Sequence, residues 1–302
     1  MSAQQEPPTV TAGPVGYPHP NLAVQDHAVQ DHAVQDHTVA GAGAVRVLRI
    51  DREDKLGALS GGLVVALGEQ VARIRQDPGI RSVVLTGTGR GFIAGADVGE
   101  YFEVSTEAFM AYQRTSREVF DALEGLPQPT VAAVNGYAFG GGFEVALCCD
   151  FIMASERARF ALPEVTLGLI PGGGGTQRLA RAVGTRLTKE LVMTGRRMRP
   201  DEAFRHGLLT GITEPGALQA RAVEFAASLA VKAPLAVREA KRIIDGGVAQ
   251  ELSAALSAEQ SALGRLFDSA DGQEGIRAFL EKRAPAFTGL SSTGLSSTGL
   301  VP

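Results

Sequence analysis

The chain has no tryptophan and only two cysteines, and those two are neighbours, Cys148 and Cys149. Adjacent cysteines are poorly placed to bridge each other and no third exists. A disulfide scaffold is therefore excluded, and a reducing compartment such as the cytoplasm fits. Histidine is nearly absent from the body: His19, His27, His32 and His37 lie near the N-terminus, which leaves His206 alone. That excludes a multi-histidine metal site in the body, and a nucleophilic triad would have to use His206. No apolar run approaches the roughly 20 residues of a membrane span. The N-terminus lacks a basic stretch followed by an apolar one, so neither a membrane anchor nor a secretory leader is expected.

Positive charge is missing from the first 43 residues, which hold Glu6, Asp26, Asp31 and Asp36 but no lysine or arginine. The formal net charge of -4 therefore belongs to this tail, and the remainder is balanced. A neutral body argues against broad nucleic-acid binding.

What is present is ordinary for a globular protein with one or two domains: 302 residues, 44% hydrophobic and 21% charged. Residues 20–39 carry the five-residue repeat AVQDHAVQDHAVQDH. Five matches neither the helical period nor the alternation of a strand, so residues 1–43 read as a disordered tail. The other reading of the spaced histidines is metal binding. Residues 288–302, TGLSSTGLSSTGLVP, read as a second loose tail.

Between the tails, strands are expected at 44–50, 81–87, 130–136, 150–155 and 157–162. Helices are expected at 63–77, 106–125, 176–193 and 200–207. Beyond residue 215 the pattern is helical throughout, at 216–231, 234–246, 249–268 and 271–283. The fold class is α/β, with a strand-rich part over 44–215 and a helical region over 216–287.

Glycine is abundant, with 37 residues, and it clusters. Three glycine-rich loops follow apolar segments: GTGRGFIAGAD (87–97), GYAFGGGFE (136–144) and LIPGGGGTQR (169–178). No Gly-Lys-Ser/Thr phosphate loop occurs. Gly89, Gly91 and Ala94 make a weak dinucleotide-type pattern without the helix start or the acidic residue such a site needs. The alternative is an oxyanion hole. Glycines let peptide N–H groups face a cavity, and a helix starting near Gly142 would add the positive end of its dipole.

Two isolated glutamates sit beside these loops. Glu144 falls among apolar neighbours in GGGFEVALCCD, and Glu164 does the same in FALPEVTLGLIPGGGG. Glu144 by itself could be a helix-dipole cap. Together, in a body with one histidine, they look like an acid/base pair. Asp97 and Asp150 border the same segments and read as loop or strand-end residues. Cys148 and Cys149 read as small core-filling residues, since no cation adjoins them.

At this point the chain resembles the crotonase superfamily, and the enoyl-CoA hydratases in particular. The resemblance runs from about Val45 to Phe287. It rests on an ordered set: FIAGAD, PTVAAVNGYAFGGGFEVALCCDF, ARFALPEVTLGLIPGGGGTQRLAR, LTKELVMTGRRM, EAFRHGLL, APLAVREAKRII and FLEKRAPAFTG. It implies a spiral of ββα units, and a C-terminal helical region that builds trimers or pairs of trimers. It implies an acyl-CoA thioester as substrate, and no metal or redox cofactor. By position, Ala96 and Gly141 would supply the oxyanion-hole N–H groups, and Glu144 and Glu164 the acid/base pair. Ala94, Gly95, Asp97, Gly140, Gly172 and Lys282 would line the substrate site.

The chain departs from the family pattern at Gly57-Ala58-Leu59, where Asn-Ala-Leu is common, and at Val98-Gly99-Glu100, where a basic residue is common. Lys282 and Arg283 stand either as a charge for CoA, across a subunit boundary, or as a solvated helix end. The resemblance also implies that Tyr101, Phe102, Phe109, Met110 and Tyr112 lie near the acyl pocket. An apolar helix face packing the core explains most of them. Other acyl-CoA reactions on the same scaffold, such as isomerisation or hydrolysis, are the nearest rivals, ahead of a purely binding role.

Overall fold

The computed structural model describes residues 19–28 and 43–289. Its main sheet has six strands in the order β1-β2-β3-β5-β7-β9: β1 (Leu22–Ala28), β2 (Ala44–Ile50), β3 (Ile80–Gly87), β5 (Thr130–Val134), β7 (Phe151–Ser155) and β9 (Gly211–Thr213). All neighbours pair in parallel except β1, which runs antiparallel to β2. A second, smaller sheet is parallel in the order β4-β6-β8: β4 (Gly91–Ile93), β6 (Tyr137–Phe139) and β8 (Arg159–Ala161).

Every residue of β5 is buried, as a central parallel strand covered on both faces requires. Helices α1 (Gly61–Gln76) and α2 (Thr106–Glu124) cover one face of the sheet and share its core. Ser60 starts α1 by accepting from the Leu63 N–H, and Ser105 starts α2 by accepting from Ala108. Helix α7 (Leu218–Ala230) covers the other face, setting Leu218, Ala222, Ala226 and Ala230 against Val45, Val47, Val84 and Val131. The small residues of α7 allow a close approach, and the Ser82 hydroxyl donates to the Ala226 carbonyl at 2.9 Å.

Three consecutive units repeat one plan: a main-sheet strand, a small-sheet strand, then a helix. They are β3-β4-α2, β5-β6-α3 with α3 spanning Gly141–Leu147, and β7-β8-α4 with α4 spanning Gly175–Val183. Helices α5 (Thr185–Thr194) and α6 (Pro200–Arg205) then lead to β9. After α7, helices α8 (Pro234–Gly247), α9 (Leu252–Phe267) and α10 (Ala270–Glu281) close the described chain.

Two expectations need correction. Leu22–Ala28, inside the stretch read as a disordered tail, is strand β1. The five-residue repeat conceals a local alternation in which Leu22 is buried and Val24 packs against the core, and the open edge of β2 supplies the pairing. Residues 1–18 and 29–42, with His32 and His37, and residues 290–302 lie outside the described residues. The single helix expected over 176–193 is two helices, broken at Gly184, whose φ of 84° no L residue adopts readily. Gly91, in the weak dinucleotide-type pattern, begins strand β4.

Candidate active site

The three repeats deliver their loops to one place. The segment after β4 carries Ala94 to Asp97, the turn after β6 carries Gly140, and the segment after β8 carries Pro163 and Glu164. Parallel strands gather their C-terminal ends on one side, where ligands of such sheets bind.

The glycine triplet has a separate use at each position. Gly140 adopts φ 48°. Gly141 is the first residue of α3, so its N–H has no acceptor within the helix. A Cβ on Gly142 would strike the Ile93 carbonyl, so glycine there lets α3 press on β4. A Cβ placed on Gly141 would lie 3.9 Å from the Ala96 nitrogen, so the two residues are neighbours. Among the described residues, neither the Ala96 nor the Gly141 N–H donates to a backbone acceptor in a loop or turn.

Glu144 lies in the first turn of α3 and is 3% exposed. Its Oε1 accepts the Gly175 N–H at 2.8 Å, and the Gly173 N–H also donates to the carboxylate. Burial pushes the Glu144 carboxyl above its usual range, and these two backbone donors and the Arg178 charge pull it back. Gly173 is glycine for a visible reason. A Cβ there would come 2.7 Å from Glu144 Oε2 and 2.6 Å from the Phe120 ring.

Glu164 opens a short 3-10 helix, Glu164–Leu167, behind Pro163. Its Oε1 would lie 2.9 Å from a Cβ on Gly140. Its Oε2 is buried without a hydrogen-bond partner among the described residues. Burial raises its carboxyl to about 7, and the negative charge of Glu144 adds to the rise. The two glutamates, 20 positions apart in sequence, are therefore near enough for Glu164 to feel the charge of Glu144.

The remaining expected site residues divide. The Ala94 N–H is taken by the Leu56 carbonyl at 3.0 Å, and Gly95 turns the chain at φ 103° into Ala96. Gly172 lies in the loop beside Glu144, with Gln113 Oε1 2.6 Å from the position of its missing Cβ. The Asp97 side chain is not available to a substrate. It accepts from Arg52 at 2.8 Å and from the Gly99 N–H at 3.3 Å, and the arginine holds its carboxyl below the usual range. Asp150 is tied to Thr130 and to Lys241 at 2.9 Å.

Lys282 ends α10 at φ 55°. Among the described residues no hydrogen bond or ion pair joins it to the site. Arg283 is committed to Glu274 and Glu281. His206 is exposed at the end of α6, away from these groups.

Tyr101, Phe109 and Tyr112 form an edge-to-face cluster with ring centroids 5.0 and 5.3 Å apart, and the Tyr112 hydroxyl donates to the Leu59 carbonyl. Phe102 and Met110 are exposed instead. Cys148 and Cys149 are buried, and burial pushes the Cys149 thiol up to about 12, so both are core groups. Sequence reasoning missed the Gly173 and Gly175 donors and the Arg178 that contacts them. Their only mark was the string GGGGTQR, whose glycines do not say which amide faces the glutamate.

The sequence profile of the enoyl-CoA hydratase/isomerase family matches residues 40–290. The chain belongs to this family. It is 40% identical over 242 residues to the short-chain-enoyl-CoA hydratase of Clostridium acetobutylicum, a match covering 80% of this chain and 93% of that protein. It is 38% identical to the crotonyl-CoA hydratase of Syntrophomonas wolfei, with the same coverage. The structure of enoyl-CoA hydratase from Bacillus anthracis superposes with a TM-score of 0.82 at 36% identity, covering 89% of this chain and 99% of that one. The architecture is therefore the crotonase fold of this family, and the repeated ββα units are its spiral.

Proposed function

We propose that the protein is an enoyl-CoA hydratase, adding water across the 2,3 double bond of a 2-enoyl-CoA to give a 3-hydroxyacyl-CoA. The observation that carries the reading is a pair of oppositely served carboxylates: Glu144 is buried, Glu164 has one buried oxygen, and Glu164 feels the charge of Glu144. Glu144 receives backbone N–H donors, which favour its ionised form. Glu164 has a bare buried oxygen and a carboxyl raised to about 7, which favours its protonated form near neutrality. Environments that separate two carboxyls in this way assign a base and an acid.

In this mechanism the thioester oxygen lies between the Ala96 and Gly141 N–H groups. Glu144 takes a proton from a water held between the carboxylates, and the water oxygen bonds to C3. The π electrons of the C2–C3 bond move toward the thioester, and the enolate oxygen draws on the two amides. Each such donor lowers a barrier by about 3 kcal/mol in comparable sites. Glu164 delivers its proton to C2, so the elements of water are added and nothing is oxidised. The reading needs no resident metal or redox cofactor.

The same reading includes self-association. Ile244, Val248, Leu252, Leu263, Phe279 and Leu280 are each at least 66% exposed on or beside α8–α10. Apolar area of this kind fits a subunit contact, as in a trimer or a pair of trimers. Among the described residues no helix is long and apolar enough to cross a membrane, and a cytoplasmic location belongs to the proposal.

The test follows loss of the conjugated-enoyl absorbance of crotonyl-CoA with purified protein. Product gaining the mass of one water supports the hydratase. A shifted double bond with no mass gain, or free CoA, replaces it with an isomerase or a hydrolase.

A further inference from the structure

Arg178 sits in α4, one turn beyond the loop that serves Glu144. Its guanidinium donates from Nη1 to the Gly173 carbonyl at 2.6 Å. Nε and Nη2 grip the Glu124 carboxylate at 3.0 and 2.6 Å, and Nη2 also meets Asp121 at 2.7 Å. The side chain is only 12% exposed. Asp121 is held in turn by Arg117 at 2.7 Å. One side chain thus ties the glycine loop to helix α2.

That loop has little to hold it otherwise. Gly172 to Gly175 are four consecutive glycines, the most conformationally free residues, and Gly174 stands at φ 102°. Yet two of its amides, Gly173 and Gly175, must point at Glu144. The peptide that carries the Gly173 carbonyl continues directly through Gly174 to the Gly175 donor. That carbonyl shares its peptide plane with the Gly174 N–H, between the two planes that carry the Gly173 and Gly175 N–H groups, so holding it limits how far either neighbouring plane can turn.

We propose that Arg178 is a positioning residue for the reaction. By holding the Gly173 carbonyl against α2, it aims the Gly173 and Gly175 N–H groups at the Glu144 carboxylate and keeps that base ionised. This rests on the role proposed above for Glu144. The action is mechanical more than Coulombic, because Asp121 and Glu124 neutralise the guanidinium at contact distance, with Arg117 on their far side. The other titratable groups whose charge couples to Glu144 are Glu164 from the 3-10 helix, Tyr101 from the segment before α2, and Cys148 on α3. None of them touches the loop's donors.

The test is the pH dependence of kcat/KM for crotonyl-CoA with wild type, Arg178→Gln, Arg178→Lys, Glu124→Gln and Glu144→Gln. Thermal unfolding of each variant is measured alongside. Loss of the brace weakens the N–H donors, so the Glu144 carboxyl rises and the acid limb moves to higher pH. In Arg178→Gln kcat falls about tenfold and KM stays within about twofold, the loss of one hydrogen bond's worth of orientation. Arg178→Lys keeps the charge but cannot hold the carbonyl and Glu124 with one planar fork, so its limb moves as well.

An unchanged acid limb in both Arg178 variants, with Glu144→Gln inactive, overturns the proposal. A wild-type limb in Arg178→Lys beside a shifted one in Arg178→Gln overturns it in favour of simple charge. Turnover surviving in Glu144→Gln sinks the role of Glu144 instead. Should the Arg178 variants fail to fold, Glu124→Gln slackens the same brace from α2. A smaller upward shift is then expected, and an unmoved limb is contrary.

Discussion

Gly140 and Glu164 leave no room for a methyl group between them: a Cβ on Gly140 would lie 2.9 Å from Glu164 Oε1. Gly140 also stands at φ 48° and accepts the Glu144 N–H through its carbonyl at 3.0 Å. One residue therefore touches both glutamates, the side chain of Glu164 and the backbone of Glu144. Gly140→Ala strains the turn and displaces Glu164. A displacement of about 1 Å costs on the order of a hundredfold in rate. Steady-state kinetics on crotonyl-CoA should show that loss mainly in kcat, with the fold retained by circular dichroism.

The pH profile should be bell-shaped. Glu164 works as an acid and its carboxyl is raised to about 7, so activity should fall as pH rises through that value. Glu144 works as a base, so activity should also fall on the acid side as it takes up a proton. The limbs belong to the coupled pair. A rate that keeps rising well above neutrality would be inconsistent with a protonated Glu164.

Much of this was readable in advance. The strands β2, β3, β5, β7 and β8, and the helices beyond residue 215, announce themselves by alternation or helical period. Glu144 and Glu164 announce themselves as charges without neighbours of opposite sign. Strands β4 and β6 do not, because each is three residues set inside a glycine-rich loop, and their pairing is with each other and β8. Strand β1 hides in a repeat and depends on the edge of β2. Asp97 misleads in the opposite direction: it borders the glycine-rich segment after β4, yet Arg52, 45 positions away, takes its carboxylate. Partners that distant leave no local mark.

The protonated Glu164 also bears on stability. Its carboxyl moves from 4.5 to about 7, so the folded state holds this proton more tightly than the unfolded chain. The stabilisation is whole below the unfolded value and fades as pH rises through about 7. Glu164→Gln removes the buried charge. Above neutrality the ligand-free variant should melt higher than wild type by a few degrees, roughly 1 kcal/mol after allowing for partial solvent access. Equal melting temperatures on both sides of neutrality would contradict a raised Glu164.

Lys241 on α8 and Asp150 before β7 form a largely buried ion pair at 2.9 Å, with side chains 10% and 18% exposed. Asp150 also accepts from the Thr130 N–H at 2.8 Å, so the pair ties a peripheral helix to two core strands. Lys241→Met leaves Asp150 half satisfied and should cost about 3 kcal/mol, read by denaturant unfolding. The kinetic constants at a permissive temperature should not change.

Removing residues 1–28 should expose the edge of β2, with Leu48 and Ile50 losing cover from Leu22. The site lies in other repeats, so specific activity of freshly purified protein should survive. Aggregation on standing, followed by light scattering, should rise.

The most direct test compares wild type, Glu144→Gln, Glu164→Gln and the double variant in crotonyl-CoA hydration, with binding of the acyl-CoA measured for each. The two-carboxylate mechanism predicts that each single variant binds but loses at least about a thousandfold in kcat, and that the double variant loses little more. Either single variant hydrating crotonyl-CoA at a near wild-type rate would contradict it.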